Sequence, residues 1–331
     1  MKGIQIVSTG KALPEEIITN DDLSRIVDTN DEWITTRTGI KKRYRCTQEN
    51  TTSLAVRAAY EAVEASGVDI AEIGAVIVAT STAENAFPST AAIVQKELGL
   101  AENVLAFDLS SACTGFLHAL NVGQALFNST DYKYILLIGS EQMSKILDYT
   151  DRSTCVLFGD GAGAVVLKAV DNNTEDVTGA LVGHERGIID SNIYNDGTGA
   201  SVLTGGRRFS DSCSTDIFIH MDGQEVFKFA VKSVPTAIET LLHNNNMDIN
   251  EVDKFILHQA NVRIIESVAK RLKADKDKFP VNLNEYGNTS SASIPILLDE
   301  LNRNGSLKQG DKLILAGFGA GLSWGSILLV W

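Results

Sequence analysis

Short apolar runs closed by small or turn-forming residues alternate along the chain with longer stretches whose apolar residues recur every three or four positions. The runs Ala75–Ala79, Val104–Phe107, Tyr134–Ile138, Ala164–Leu167 and Phe255–Leu257 read as buried strands. The stretches Thr52–Ser66, Thr90–Leu98 and Gly223–His243 read as helices. Strands alternating with helices imply sheets covered by helices, hence an α/β protein. The opening MKGIQIVSTG alternates without a continuous apolar core, so it is expected as a strand and not as a secretory leader. Leu313–Trp331 runs 19 residues without a charge, about the length that crosses a bilayer. Four glycines and two serines interrupt it, which favours two buried strands around a glycine turn.

The pattern repeats weakly across the midpoint. Phe158-Gly159-Asp160-Gly161-Ala162-Gly163 precedes one apolar run, and Phe318-Gly319-Ala320-Gly321 precedes another; the offset, 318 − 158 = 160, is near half of the 331 residues. Val104–Phe107 leads into the small-residue turn Ser110–Cys113 and a helix carrying Phe116, Leu117 and Leu120. In the same way Phe279–Leu283, expected as a strand, leads into Gly287–Ala292 and a helix carrying Ile294, Leu297 and Leu298. A duplicated α/β unit with its site at the joint also fits the length, since single cores stop growing near ~250–300 residues.

Composition narrows the function classes. The chain is 44% hydrophobic and 21% charged, which is ordinary globular composition. Its net charge of −13 argues against general nucleic-acid binding, although a local basic patch is compatible with it. Cys46, Cys113, Cys155 and Cys213 lie far apart with no C-x-x-C pair, as expected of reduced thiols in the cytoplasm. No metal-ligand spacing occurs, and the glycine runs lack the lysine of a phosphate loop.

Cys113 sits among Ser111, Ala112, Thr114 and Gly115, small enough for a sharp strand-to-helix turn. Unpaired N–H groups at the helix start would favour its thiolate. Taken alone, such a cysteine reads equally as a small buried hydrophobe. His258 closes the apolar run Phe255–Leu257, at the strand end where α/β sheets bind ligands; its bland alternative is a satisfied core histidine. The remaining histidines (His118, His184, His220 and His243) read as structural or surface residues. Asn288 lies in the second half's counterpart of the cysteine turn, where asparagine is also a common helix cap. If the halves share a pseudo-twofold, one nucleophile and two neutral hydrogen-bond donors converge.

In order and spacing, five segments resemble the β-ketoacyl-acyl carrier protein synthase III family, initiating condensing enzymes of type II fatty acid synthesis within the thiolase-like superfamily. They are Asp31–Ile34 with Arg37–Ile40, Ser111–Phe116, Phe158–Gly163, His258–Asn261 and Gly287–Ser290. The resemblance covers nearly the whole chain. It implies a five-layered αβαβα fold of two βαβαβαββ halves, residues 1–170 with the nucleophile and 171–331 with the histidine and asparagine.

The resemblance also implies the chemistry. Cys113, His258 and Asn288 would form the triad, with the backbone of Cys113 and Ala320 as the oxyanion hole. An acyl-CoA, with acetyl-CoA the expected starter, would acylate Cys113; malonyl-acyl carrier protein would then lose CO2 and attack the acyl group. No cofactor is implied. Trp33 would stack on the adenine of CoA with Arg152 on its other face, Arg37 near the phosphates and Asn261 nearby. Asp31 and Glu32 suggest that Trp33 lies in a surface loop, against the alternative of a core aromatic.

Met143 and Phe158 would line the acyl pocket, together with Phe87 from the partner of a homodimer. Lys228, Arg263, Lys270 and Arg271, with Lys232, Lys273, Lys276 and Lys278, would form the basic dock for the acidic carrier; a plain solvated helix face is the alternative. Two departures bear on starter choice: Ala320 replaces a usual glycine, and the stretch 191–214 is longer than usual.

Four other readings remain open. A synthase of a secondary pathway would share fold and triad but use another starter or a malonyl-CoA extender. A cysteine hydrolase would use Cys113 and His258 alone. A CoA-binding scaffold would need neither. A biosynthetic thiolase fits worse, because it needs a second cysteine near the end of the chain and Gly317–Trp331 has none.

Overall fold

The computed structural model describes residues 2–171, 187–206 and 217–331. His184 and Cys213 lie outside the described residues.

The first sheet is built from β1 (Lys2–Ala12), β4 (Ile73–Ala79), β5 (Leu105–Leu109), β6 (Tyr134–Glu141) and β7 (Gly161–Asp171), in the order β1-β7-β6-β4-β5. A two-stranded pair, β2 (Glu16–Thr19) and β3 (Lys42–Arg45), stands beside it with helices α1 (Asn20–Ser24) and α2 (Asp31–Thr38) between the two strands in sequence. The second sheet orders β11 (Lys254–Leu257), β12 (Lys312–Gly319), β13 (Ser323–Val330) and β8 (Gly187–Asn195) as β11-β12-β13-β8. β9 (Leu203–Thr204) and β10 (His220–Met221) form a separate short pair. In both sheets the half's first strand lies beside its last, and its second strand lies two places further along. The duplication inferred from the glycine runs is therefore visible in the strand order.

One position breaks the symmetry. The expected strand over Phe279–Leu283, counterpart of β5, does not form. Pro280 has no N–H to give to a ladder. The Gln259 side chain stands in for the missing strand bonds: its Oε1 accepts from the Asn282 N–H at 3.1 Å, and its Nε2 donates to the Leu257 carbonyl at 2.8 Å. Phe279 stays buried by stacking on Phe255, with centroids 4.5 Å apart. The segment keeps the apolar pattern of a strand because its side chains pack, not because its backbone pairs.

Period-two alternation explains the layers. In the first sheet Ala75, Ile77, Ile135, Leu137 and Val165 face a central helical layer, whereas Val76, Val78, Leu136, Ile138 and Val166 face the outside. In the second sheet Leu313, Leu315 and Ile327 face the same centre, and Ile314, Ala316 and Leu328 face away. Helices α5 (Gly115–Ser129) and α10 (Ser293–Arg303) fill that centre with Phe116, Leu117, Leu120, Ile294, Leu297 and Leu298. Helices α3 (Thr51–Ser66) and α4 (Thr90–Glu97) cover the first sheet; α7 (Gly223–Asn244) and α8 (Val262–Leu272) cover the second. The result is the expected αβαβα sandwich. The uncharged tail is the antiparallel hairpin β12–β13, and among the described residues no helix is long and apolar enough to cross a membrane.

Both central helices begin at a strained turn. Ala112 has φ +43° before the 3-10 turn Ala112–Thr114 and α5; Ser290 has φ +51° before Ser290–Ala292 and α10. Left-handed backbone at non-glycine residues is uncommon and tends to collect at functional sites. The match places Ser291, not Asn288, at the cysteine's position, with Asn288 at the mouth of the same turn. Gly139 of β6 permits the close approach: a Cβ there would lie 2.4 Å from the Ser291 carbonyl oxygen.

Candidate active site

Cys113 is buried at 8% exposure, one turn ahead of α5. Its Sγ donates to Ser290 Oγ at 3.6 Å. Gly319 at the end of β12 lies directly against it, and a methyl there would fall 3.0 Å from Cys113 Cβ and 3.1 Å from its N. The thiolate expected at a helix start is not the resting form. Burial pushes the thiol pKa up to about 12; the hydrogen bond with Ser290 opposes this and the nearby Glu141 adds to it. A dipole at the helix end does not offset removal from water.

His258 follows the last residue of β11, and its backbone N–H continues the ladder to the Ala316 carbonyl at 2.8 Å. A Cβ on Gly317 would touch both the His258 Cβ, at 3.5 Å, and the Cys113 carbonyl oxygen, at 3.7 Å, so the two residues are near neighbours across one glycine. His258 Nδ1 lies 2.6 Å from Ser293 Oγ, and Ser293 in turn accepts from the Gln259 N–H at 3.4 Å. Burial pulls the imidazole pKa down to about 3, so the ring is neutral at ordinary pH.

A histidine buried neutral makes folding pH-dependent with a definite sign. The unfolded chain takes up the proton near pH 6.5, so stability is lost as pH falls from there toward 3. Between about pH 6.5 and 5 the wild type should lose about 1.5 kcal/mol more unfolding free energy than His258→Gln. Urea denaturation at the two pH values measures this, and equal losses would contradict a neutral buried ring.

Asn288 bridges to Phe158 across the joint, its N–H donating to the Leu157 carbonyl at 2.8 Å. Its Oδ1 accepts from the Ser290 N–H at 2.9 Å, which leaves the amide NH2 as the group available to donate elsewhere. Ser290 Oγ donates to Glu141 Oε1 at 3.2 Å. Glu141 closes β6, is fully buried, and also accepts from Thr82 Oγ1 at 2.5 Å, Ser81 N at 3.1 Å and Ser291 Oγ at 2.9 Å. Burial raises its carboxyl pKa.

A cavity of about 930 Å³ opens on Cys113. Met143, Phe158, Ser290 and Ala320 line it, with residues 203–206 on a further wall. The long stretch 191–214 thus borders the cavity through its described part, while residues 207–214 lie outside the described residues. His258 and Asn288 are buried and are not among the lining residues. Phe87 is 86% exposed, next to the cavity residues Asn85 and Ala86.

Trp33, Arg37 and Arg152 form a separate group. Trp33 lies in helix α2 and not in a loop: Asn30 Oδ1 caps the helix by accepting the Trp33 N–H at 2.7 Å, and Asp31 and Glu32 sit in the first turn, where acidic side chains suit the dipole. The guanidinium carbons of Arg37 and Arg152 lie 4.6 and 5.1 Å from the indole centroid. Arg152 also donates to the Asp28 carbonyl at 2.8 Å. Asn261 caps α8 and donates to the Arg37 carbonyl at 3.0 Å. Arg263, Lys270 and Arg271 lie exposed on α8 beside Lys228 of α7; Lys228 pairs with Glu225 at 2.7 Å and Arg263 rests over Phe227.

Comparison with known proteins decides the family. Two family models match, 3-oxoacyl-[acyl-carrier-protein (ACP)] synthase III over residues 107–197 and its C-terminal part over 242–331. A β-ketoacyl-[acyl-carrier-protein] synthase III of Clostridium acetobutylicum is 45% identical, the match covering 100% of this chain and 99% of that one. The chain belongs to the synthase III family. It is a condensing acyltransferase with the thiolase-like fold. A crystal structure of 3-oxoacyl-[acyl-carrier-protein] synthase III from Aquifex aeolicus superimposes with a TM-score of 0.90 at 42% identity, covering 99% of this chain and 100% of that chain. The priming β-ketosynthase of the R1128 polyketide pathway gives 0.88 at 34%, covering 99% and 96%.

The synthase III pattern singles out Cys113, His258 and Asn288, and the structure adds Ser290, Ser293 and Glu141, to which the pattern assigns no role. Ser290 belongs to the small-residue turn Gly287–Ala292 and Ser293 follows it directly, and neither residue type by itself signals chemistry. Glu141 ends the apolar run of β6, where a carboxylate with no basic neighbour in sequence was itself the available signal.

Proposed function

We propose that Cys113, His258 and Asn288 carry a decarboxylative condensation in two stages, with acetyl-CoA as starter and malonyl-acyl carrier protein as extender. Cys113 attacks the thioester of the starter and releases CoA. The backbone N–H groups of Cys113 and Ala320 hold the oxyanion; Ala320 lies in the turn after Gly319, which packs on the cysteine. Malonyl-carrier then enters and loses CO2, and its thioester oxygen gains charge. With Nδ1 accepting from the Ser293 hydroxyl, neutral His258 donates from Nε2, and Asn288 donates from its amide NH2. The resulting carbanion attacks the acyl group on Cys113 and frees a 3-oxoacyl-carrier. This proposal uses no cofactor.

The observation that carries this reading is the packing of Cys113 against both Gly317, which touches His258, and Ser290, which is held by Asn288. CoA adenine would take the place of one guanidinium on Trp33, leaving the other to sandwich it, with Asn261 steadying Arg37. Phe87, an exposed ring beside the cavity, would cross to a partner subunit of a homodimer and close the acyl pocket formed by Met143 and Phe158. We place the division of the two halves near residue 170 and the enzyme in the cytoplasm.

A condensation assay with acetyl-CoA and either malonyl-carrier or malonyl-CoA tests the reading. We expect 3-oxobutyryl-carrier as product and a strong preference for the carrier; a strong preference for malonyl-CoA would overturn it. Lys270→Glu with Arg263→Glu should raise KM for malonyl-carrier roughly tenfold or more, since close interfacial charges steer association and like charges repel. KM for acetyl-CoA should stay unchanged, and an equal rise for both substrates would remove the proposed dock.

A further inference from the structure

We propose that Ser290 and Glu141 form the proton relay that activates Cys113 for acylation, Ser290 as a catalytic residue on the sulfur and Glu141 acting through it. The inference rests on the acyl-Cys113 reading above and names the base that reading lacks. Cys113 is buried as the thiol, and His258 is occupied by Ser293 and reserved for the enolate oxygen. Among the described residues the hydrogen-bond partner of the sulfur is the Ser290 hydroxyl, which donates onward to Glu141. The path Cys113 Sγ to Ser290 Oγ to Glu141 Oε1 has steps of 3.6 and 3.2 Å.

The site can hold the carboxyl group in either protonation state. As carboxylate, Glu141 accepts from the Ser81 N–H, Thr82 Oγ1 and Ser290 Oγ. Thr82 Oγ1 also accepts the Gln142 N–H at 2.9 Å, which leaves its own hydrogen available to Glu141. As carboxylic acid, Oε1–H can donate to Ser291 Oγ at 2.9 Å, since the Ser291 hydrogen is free to go to the Ala79 carbonyl at 2.8 Å. A buried carboxylate among neutral partners also binds a proton more avidly than one in water.

The balance is closed. As Sγ bonds to the thioester carbon, the thiol proton passes to Ser290 Oγ and the Ser290 proton passes to Glu141 Oε1. The C–S bond to CoA breaks with its electron pair on the CoA sulfur. The CoA thiolate leaves with a proton returned along the same path, so free CoA and acyl-Cys113 are the only products and Glu141 ends as it began.

The test separates acylation from discharge by rapid quench, with acetyl-CoA alone and then with malonyl-carrier. Glu141→Gln keeps the size of the side chain and removes the base. Acetyl-Cys113 formation should slow by roughly 10²-fold, the usual share of general-base catalysis. The Kd for acetyl-CoA and the discharge of enzyme once acylated should be unchanged. Glu141→Asp should recover part of the rate. Ser290→Ala should reproduce the loss while Ser81, Thr82 and Ser291 still hold Glu141, and the double variant should be no slower than either single one. Wild-type acylation rates in Glu141→Gln would overturn the relay, as would equal losses in acylation and discharge. If Glu141→Gln does not fold, Ser290→Ala decides by the same criteria. Failure of the wild type to acylate Cys113 would instead overturn the parent reading.

Discussion

Cys113→Ala leaves the protein without measurable acyl-enzyme on incubation with acetyl-CoA, and condensation falls by roughly 10⁴-fold or more, as when a covalent nucleophile is removed. The effect is large because, among the described residues, Cys113 is the only thiol that lines the cavity. Cys46 and Cys155, the other described thiols, are buried and are absent from the cavity wall. The loss should also be selective. His258 and Asn288 keep their partners Ser293 and Ser290 in this variant, so decarboxylation of malonyl-carrier should continue without an acyl acceptor and yield acetyl-carrier. A CoA-binding scaffold predicts no change in any activity. A cysteine hydrolase predicts loss of free-acid release and no condensation product even in the wild type.

Replacing His258 or Asn288 has the opposite signature. His258→Ala and Asn288→Ala should still form acetyl-Cys113, whereas decarboxylation falls by about 10²–10³-fold for each lost donor, the size found for one oxyanion contact. Asn288 needs a companion variant, because its Oδ1 also anchors the Ser290 N–H. Asn288→Asp keeps that acceptor and removes the amide donors, so it should acylate as the wild type does and fail in decarboxylation. Parallel quench assays with acetyl-CoA and with malonyl-carrier measure the two stages. Variants that failed to acylate yet decarboxylated normally would reverse the division of labour between the cysteine and the two donors.

Much of this architecture was legible in sequence because it depends on local periodicity. The alternation in β4, β6 and β12 names which residues face each helical layer, and the paired glycine runs announce two halves. Sequence pattern and structure part where a side chain replaces backbone behaviour. Phe279–Leu283 has a strand's apolar pattern, yet Pro280 and the Gln259 side chain divert its hydrogen bonds. Asp31 and Glu32 looked like solvent-loop residues, yet after Asn30 they begin a helix.

The proposed site is legible in part for a different reason. Cys113, His258 and Asn288 each follow or precede a recognisable turn. The helix start around Cys113 suggested a thiolate, but how far burial outweighs the dipole depends on what packs on the sulfur. Glu141 and Ser290 are distant in sequence, and only closure of the two halves brings the carboxylate behind the hydroxyl that touches the thiol.

Intact-mass and peptide mapping of enzyme treated with acetyl-CoA, before and after addition of malonyl-carrier, shows whether Cys113 carries the acyl group between the two stages. A single acetyl group is expected on the peptide containing Cys113, and it should disappear on addition of malonyl-carrier as 3-oxobutyryl-carrier forms. An acetyl group on another residue, or acetyl-Cys113 that malonyl-carrier cannot discharge, would contradict this.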